Sequence, residues 1–276
     1  MPNRKSASDP TRNPLRISLV QGATRWHDPE GNRAHYADLI DALHGTTDLV
    51  VLPETFTSGF SNDAIDRAET MDGPTVEWLR ERARDLDAAI TGSVQLRTES
   101  GVHNRLLFVT PDGAVQHYDK RHLFRYAGEH ERYAAGSDRK VIEWRGWRIC
   151  PLICYDLRFP VFSRNRFDVE RSQDLDYDLL IYVANWPAAR SHVWRTLLRA
   201  RAMENLCYVA GVNRVGTDGN GLDYDGESAL IDFLGQPLSE SADQEVVTTT
   251  TLLASELAAY RKRFPTMLDG DGFTLT

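Results

Sequence analysis

Along most of the chain, short apolar runs alternate with segments whose apolar residues recur at helical spacing. LRISLVQG (15–22) is the first β-rich run. Residues 28–45 then put Tyr36, Leu39, Ile40 and Leu43 on one helical face. DLVVLP (48–53) is a short apolar strand. GPTVEWLRERARDLDA (73–88) opens with Pro74 in its first turn and reads as an amphipathic helix. AAITGSVQLR, NRLLFVTPDG and AVQHYDK follow as strands, and the PDG turn predicts a hairpin between the last two. GWRICPLIC (146–154) is another strand, PVFSRNRF begins a helix, and YDLLIYVAN (177–185) is a buried strand. SHVWRTLLRARAMEN (191–205) is helical, with Ser191 as its expected N-cap. LCYVAGVNRVG and GESALIDFLGQP are strands around a Gly/Asp-rich turn, and ASELAAYRKRF is a last helix. This order predicts an α/β fold with a mixed sheet arrangement, as one domain over residues 15–276. Residues 1–14 are polar and Pro-rich and are expected to be disordered. The tail from about 265 is expected to be irregular.

Composition narrows the functional class. The 276 residues are 41% hydrophobic and 26% charged, enough for a sizeable core. A formal net charge of -8 argues against a nucleic-acid or anionic-membrane surface. No apolar run approaches the ~18 residues of a membrane span. Cys150, Cys154 and Cys207 are too few, and odd in number, for a disulfide framework, and they carry no metal-ligand spacing. A reducing, cytoplasmic setting fits.

The chemistry lies just beyond the strands. DLVVLP is followed by Glu54, AVQHYD by Lys120, GWRICPLI by Cys154, and LLIYVA by Asn185 and Trp186. Ligands of open α/β sheets bind beyond the carboxyl ends of strands. Each residue alone has a plainer reading. Cys154 can be core, since free cysteine is often buried. Glu54 can cap a turn, Lys120 can belong to a solvated charge run, and Asn185 can form a turn. Together they make a coherent set. A thiolate attacking an acyl carbon needs a base, here Glu54. It also needs a cation or N–H donors for the oxyanion, here Lys120 and the backbone N–H of Tyr155.

LPETFTSGF, YDKRHLF, CYDLRFP and ANWP together resemble the nitrilase superfamily of carbon–nitrogen hydrolases, and within it the bacterial omega-amidases that act on 2-oxoglutaramate. The likeness runs from about Leu15 to about Phe264. It implies a four-layer α-β-β-α sandwich, commonly dimerised, with Glu54 as base, Lys120 stabilising the tetrahedral intermediate and Cys154 as nucleophile. It also implies a second, supporting glutamate, for which Glu129 is the best match and Glu131 competes. The implied substrate is a small dicarboxylic monoamide, cleaved through a cysteine thioester.

Such a substrate carries a free carboxylate, which an arginine fork suits. Arg158 is the first candidate, with a salt bridge to Asp156 as the alternative. Phe124, Tyr126 and Trp186 are candidate pocket walls, and Asn185 is a further candidate substrate contact. A nitrile, an N-carbamoyl amine or another amide remains open as substrate, as does a non-catalytic binding role on this fold. GTDGNGLDYDG matches neither a dinucleotide loop nor an EF-hand. There is no G-x-S-x-G elbow and no H-E-x-x-H pattern, and His122 and His192 read as structural. No metal and no cofactor are expected. The expected partners are a small amide and a second copy of the chain.

Overall fold

The computed structural model describes residues 12–168 and 174–274. In chain order the main strands are β1 (Leu15–Gln21), β2 (Leu49–Val51), β3 (Ala89–Thr98), β4 (Gly101–Val109), β5 (Val115–Asp119) and β6 (Ile142–Trp144). They continue as β7 (Trp147–Ile153), β8 (Leu179–Ala184), β9 (Tyr208–Asn213), β10 (Ala229–Ile231), β11 (Pro237–Glu240) and β12 (Val246–Leu252). The long helices are α1 (Pro29–Ile40), α2 (Pro74–Leu86), α3 (Ser191–Asn205) and α4 (Ala254–Arg263).

The strands form two six-stranded sheets, ordered β12-β1-β2-β3-β4-β5 and β6-β7-β8-β9-β10-β11. Read in these directions, both sheets pair antiparallel, parallel, parallel, antiparallel, antiparallel. β2 and β8 therefore hold matching places, central and flanked by parallel neighbours.

Side-chain alternation builds the layers. Val20, Val50, Leu52 and Ile90 pack with Tyr36 and Ile40 of α1 and with Val76 and Leu79 of α2. The intervening Ile17, Leu19, Leu49 and Val51 belong instead to the cluster shared with the second sheet. Trp194 and Leu198 of α3 and Leu257 of α4 complete that cluster. The result is the α-β-β-α sandwich that the family resemblance implies.

Local details depart from the pattern reading. The segment 28–45 is helical only to Ile40 and ends in a 3-10 turn, Asp41–Leu43. PVFSRNRF gives a four-residue helix, Pro160–Ser163. It stops because Asn165 is bound to Asn205 and to the Tyr177 carbonyl. Ser191 is the first helical residue of α3 and not its N-cap. A 3-10 turn, Ala188–Arg190, runs straight into the helix and leaves Arg190 at the cap with no side-chain cap bond. Of the N-terminal segment, residues 1–11 lie outside the described residues. Arg12 is paired with Asp178 at 2.7 Å, and the Asn13 carbonyl accepts from Trp147 Nε1 at 3.0 Å. The tail contains one 3-10 turn, Thr266–Asp269.

β7, β8 and β9 run parallel, so their amino ends lie together. Asp178, just before β8 and fully buried, accepts from Arg261 at 2.7 Å, Arg148 at 2.9 Å and Arg12 at 2.7 Å. Burial opposes its charge, but Arg261 and Arg148 outweigh that and hold the carboxyl well below the usual range. A lowered folded pKa gives stability that is fully present above the unfolded value of about 3.9 and is lost on acidification below it. Asp178→Ala strands buried guanidiniums and should cost about 3–5 kcal/mol near neutral pH. Denaturant unfolding tests this; a loss under about 1 kcal/mol, the worth of an exposed pair, would mean that the cluster is not holding the strand ends.

Candidate active site

The carboxyl ends of the strands carry the candidate site residues. Glu54 lies three residues past β2, Lys120 directly follows β5, Cys154 directly follows β7 and Asn185 directly follows β8. All four line one cavity of about 510 Å³. The first sheet supplies Glu54 and Lys120; the second supplies Cys154 and Asn185.

Three of the charges are buried together. Lys120 Nζ lies 2.9 Å from Glu54 Oε1 and 3.0 Å from each oxygen of Glu129. Glu54 and Glu129 are fully buried, and Lys120 is 1% exposed. Both carboxylates accept further hydrogen bonds from fixed donors. Asn104 Nδ2 donates to Glu54 Oε1 at 2.8 Å, and the Asn185 backbone N–H donates to Oε2 at 2.7 Å. The Phe124 backbone N–H donates to Glu129 Oε2 at 2.5 Å. Of the two glutamates left open by the sequence, Glu129 is the one on Lys120; Glu131 is exposed beside His130.

Asn185 differs from its expected use as a substrate contact. Its amide nitrogen is committed to the Glu54 carbonyl at 2.7 Å and to Thr55 Oγ1 at 3.0 Å. It holds Glu54 in place, and only Oδ1 is left without a hydrogen-bond partner.

Cys154 leaves the strand at φ +43°, in the left-handed region that a residue with a Cβ seldom adopts. Thr55, next to Glu54, is similar at φ +44°. Such strain costs about 1–3 kcal/mol and needs enforcement by its surroundings. For Cys154 the enforcement comes from Asp156, fully buried beneath the turn Cys154–Arg158. Asp156 accepts from the Ile153 N–H at 2.9 Å, from Tyr118 OH at 2.8 Å, and from the His122 N–H at 3.1 Å. His122 Nδ1 adds a contact at 2.7 Å. The acid beside the thiol therefore faces inward and props the turn. Tyr155 is the second residue of that turn, so its N–H has no acceptor within the turn.

Electrostatics keep the resting thiol protonated. Burial pushes the Cys154 thiol well up, Glu54 raises it further by charge and by a hydrogen bond, and Lys120 only partly offsets them. Burial also raises Glu129, against the pull of Lys120. Burial would lower Lys120, yet Glu129 and Glu54 outweigh it and its pKa is raised. At rest Lys120 is therefore an ammonium and Cys154 a neutral thiol. Cys150 and Cys207 are buried in the core; burial pushes Cys150 up to about 12.

The other expected contacts divide. Phe124 and Trp186 line the cavity, and Trp186 is 4% exposed. Tyr126 touches it but is 87% exposed, so it stands at the mouth and not in the wall. Arg158 lines the cavity with its guanidinium 5.1 Å above the Trp186 ring, while Asp156 is occupied elsewhere. Sequence reasoning read Asp156 only as an alternative partner of Arg158, and gave no site role to Asn104, to Arg190, or to the hairpin residues Asp218, Asn220, Leu222 and Tyr224 that also line the cavity. Asn104 lies between His103 and Arg105 in β4, so no local pattern set it apart. Among the described residues, no group of three or more His, Cys, Asp or Glu is arranged to hold a metal, and no helix is long and apolar enough to cross a membrane.

The carbon-nitrogen hydrolase family model matches residues 16–262. The chain belongs to the carbon-nitrogen hydrolase family. Omega-amidase YafV of Escherichia coli (strain K12) is 48% identical to it over 262 residues, covering 95% of this chain and 98% of that protein. The 2-oxoglutaramate amidase of Bacillus subtilis (strain 168) is 31% identical, covering 92% and 96%. The crystal structure of XC1258 from Xanthomonas campestris is of a CN-hydrolase superfamily protein with an arsenic adduct in its active site. It is 68% identical, covers 96% of this chain and 100% of that one, and superposes with a TM-score of 0.94. The expected superfamily and its sandwich fold therefore hold, and the chain is a hydrolase of carbon–nitrogen bonds.

The raised Cys154 pKa gives a direct test. Ultraviolet titration of thiolate absorbance, with Cys154→Ala as the blank, should place the Cys154 midpoint above the free-thiol value of about 8.5. Glu54→Gln removes a negative charge and should move that midpoint down. A midpoint below that of free cysteine, or an upward move in Glu54→Gln, would contradict the charge balance of this site.

Proposed function

We propose that the protein is an omega-amidase, hydrolysing the terminal amide of small dicarboxylic monoamides, 2-oxoglutaramate foremost, to the acid and ammonia. The observation that carries this reading is the buried Glu54–Lys120–Glu129 cluster opening onto the Cys154 thiol in one small cavity. Similarity to YafV and to the Bacillus 2-oxoglutaramate amidase supports the substrate class. The arsenic adduct in XC1258 agrees with a reactive thiol in such a site.

The reaction runs in two halves. As Cys154 Sγ attacks the amide carbon, Glu54 takes the thiol proton. The oxygen becomes an oxyanion held by Lys120 and the Tyr155 N–H. The C–N bond breaks, and Glu54 gives its proton to the departing nitrogen, releasing ammonia and leaving a thioester. Water then attacks the thioester and loses a proton to Glu54. Collapse of this second intermediate frees the acid, and the proton returns to sulfur. One carboxylate serves as base, acid and base again. Glu129 keeps Lys120 and Glu54 in register, and Arg158 is a candidate for the distal carboxylate. The setting is cytoplasmic, which three free cysteines suit.

Measurement of kcat/KM on 2-oxoglutaramate, succinamate, glutamine and a short aliphatic nitrile tests the substrate. The keto-acid amide should lead, succinamate should turn over, and the last two should be poor. Preference for the nitrile or for an N-carbamoyl amine would overturn the substrate while leaving the thiol chemistry standing. Cys154→Ala should lose essentially all turnover and stay folded. Glu54→Gln and Lys120→Met should each lose about 10²–10⁴-fold, without additivity. Retention of more than about a tenth of the rate by either variant would remove its role, by that same range.

The chain should also assemble as a homodimer. Met203 of α3 and Leu234 and Leu238 of the β10–β11 region are exposed apolar residues on the outer side of the second sheet. Light scattering that gives a monomer mass at micromolar concentration would remove this reading.

A further inference from the structure

Two guanidiniums face the cavity of Cys154. Arg158 and Arg190 both line it, and neither has an acid within ion-pair distance among the described residues. That sets them apart from arginines such as Arg16, Arg105, Arg148 and Arg261, each paired with an aspartate. Both are instead laid on aromatic rings of the wall. Arg158 lies 5.1 Å from the Trp186 centroid, and Arg190 lies 5.6 Å from the Phe124 centroid. Stacking fixes the plane of a guanidinium and leaves its N–H edge free to donate.

The supports of the two are linked. Trp186 Nε1 donates to the Arg190 carbonyl at 2.9 Å, and the Trp186 backbone N–H donates to Asn213 Oδ1 at 2.8 Å. Phe124, under Arg190, is tied by its own N–H to Glu129. The residue that carries one guanidinium thus also braces the ring beneath the other.

Charge explains why a pair is needed. Glu54, Glu129 and Lys120 sum to one negative charge at the reacting end, and the chain as a whole carries -8. An anionic amide entering that cavity is repelled unless cations inside it compensate. The acids lining the cavity do not cancel these cations. Asp218 is occupied by the Asn220 and Leu222 N–H groups and by Tyr224 OH. Asp63 is exposed at the rim.

We propose that Arg190 acts with Arg158 as a two-guanidinium clamp on the carboxylate end of the substrate, and that Arg190, half-buried where Arg158 is exposed, is its stronger member. This rests on the omega-amidase reading and extends it, because it assigns discrimination against neutral amides to a named pair. A carboxylate with an adjacent oxo group offers three oxygen acceptors to two forks, and a plain carboxylate offers two. Charge-assisted bonds to a partly desolvated guanidinium outweigh neutral ones.

Compare kcat/KM for 2-oxoglutaramate and for butyramide, a neutral amide, in the wild type, Arg190→Met, Arg190→Lys and Arg158→Met. Arg190→Met should shrink the ratio of the two values by about 10–100-fold, from the worth of hydrogen bonds to a charged group. The loss should fall mainly on KM for the keto-acid amide. Inhibition by 2-oxoglutarate should weaken in parallel. Arg190→Lys should recover part of the ratio, since it restores charge without the fork, and Arg158→Met should shrink the ratio less. Equal losses on both amides would make Arg190 a prop for Trp186 and overturn the clamp. An unchanged ratio in Arg190→Met would do the same. A wild type that cleaves butyramide but not 2-oxoglutaramate, or neither, would overturn the omega-amidase reading itself, and the clamp with it.

Discussion

The structure turns on a buried ammonium held between two buried carboxylates. Removing Lys120, Glu54 and Glu129 from water costs several kcal/mol per ion, and mutual attraction repays this only when geometry is close and every remaining lone pair is met. The surroundings supply both. Asn104, the Asn185 N–H and the Phe124 N–H donate to further acceptor positions, so neither carboxylate rests on the ammonium alone. Without them the cluster would be a liability to the fold. With them it fixes a permanent positive charge beside a thiol that burial and Glu54 keep neutral.

That demand propagates into the architecture. The partners of Glu54 come from β4, from the residue after β5 and from the residue after β8, so no single sheet can assemble the site. The two sheets share one pairing order, and their inner faces pack through Ile17, Leu19, Leu49 and Val51 against the second sheet. This packing sets the separation of Glu54 from Cys154. At the other end of β7 and β8, Asp178 and its arginines fix the starts of the same strands whose exits carry the chemistry. The strained turns at Thr55 and Cys154 sit where these constraints meet, over-determined by Asn185 above one and Asp156 beneath the other.

Much of this was legible in the sequence. Residues 191–205 read as helix because apolar periodicity is sustained along the whole segment. The inner strands of both sheets were readable because each is a short run rich in apolar residues closed by turn residues; the edge strands β6, β11 and β12 were not, since each is short or, like VVTTTTL of β12, largely polar. Glu54, Lys120 and Cys154 followed from strand exits and from the signatures around them, whereas Glu129 came from the family resemblance alone, with Glu131 left open beside it. What escaped depends on pairings between distant segments. Asp156 was visible beside Cys154, but nothing local says that it turns inward to Tyr118 and His122, 38 and 34 residues away. Asn185 was assigned to substrate from its place at a strand exit; its amide instead faces Glu54, 131 residues earlier. Ser191 met the compositional rule for an N-cap, but the 3-10 turn before it moved the boundary by one residue. Arg190 lay between two recognised elements, and its relation to Phe124 exists only once both are folded.

The same logic bears on how one fold can hold many substrates. The reacting end of this cavity is closed by buried groups whose replacement leaves a charge unpaired, so it has little freedom to vary. The far end is lined by the loop of Tyr126, by Arg158 and Arg190, and by the hairpin Val215–Thr217/Asp223–Asp225. These groups are more exposed, and their bonds lie largely within their own turns, as with Asp218 and its neighbours. A change there alters shape and charge without stranding a buried ion. Selectivity can therefore drift at the mouth while the thiol chemistry stays fixed. Division of labour follows from desolvation cost alone, since buried charges tolerate no missing partner and half-exposed ones do.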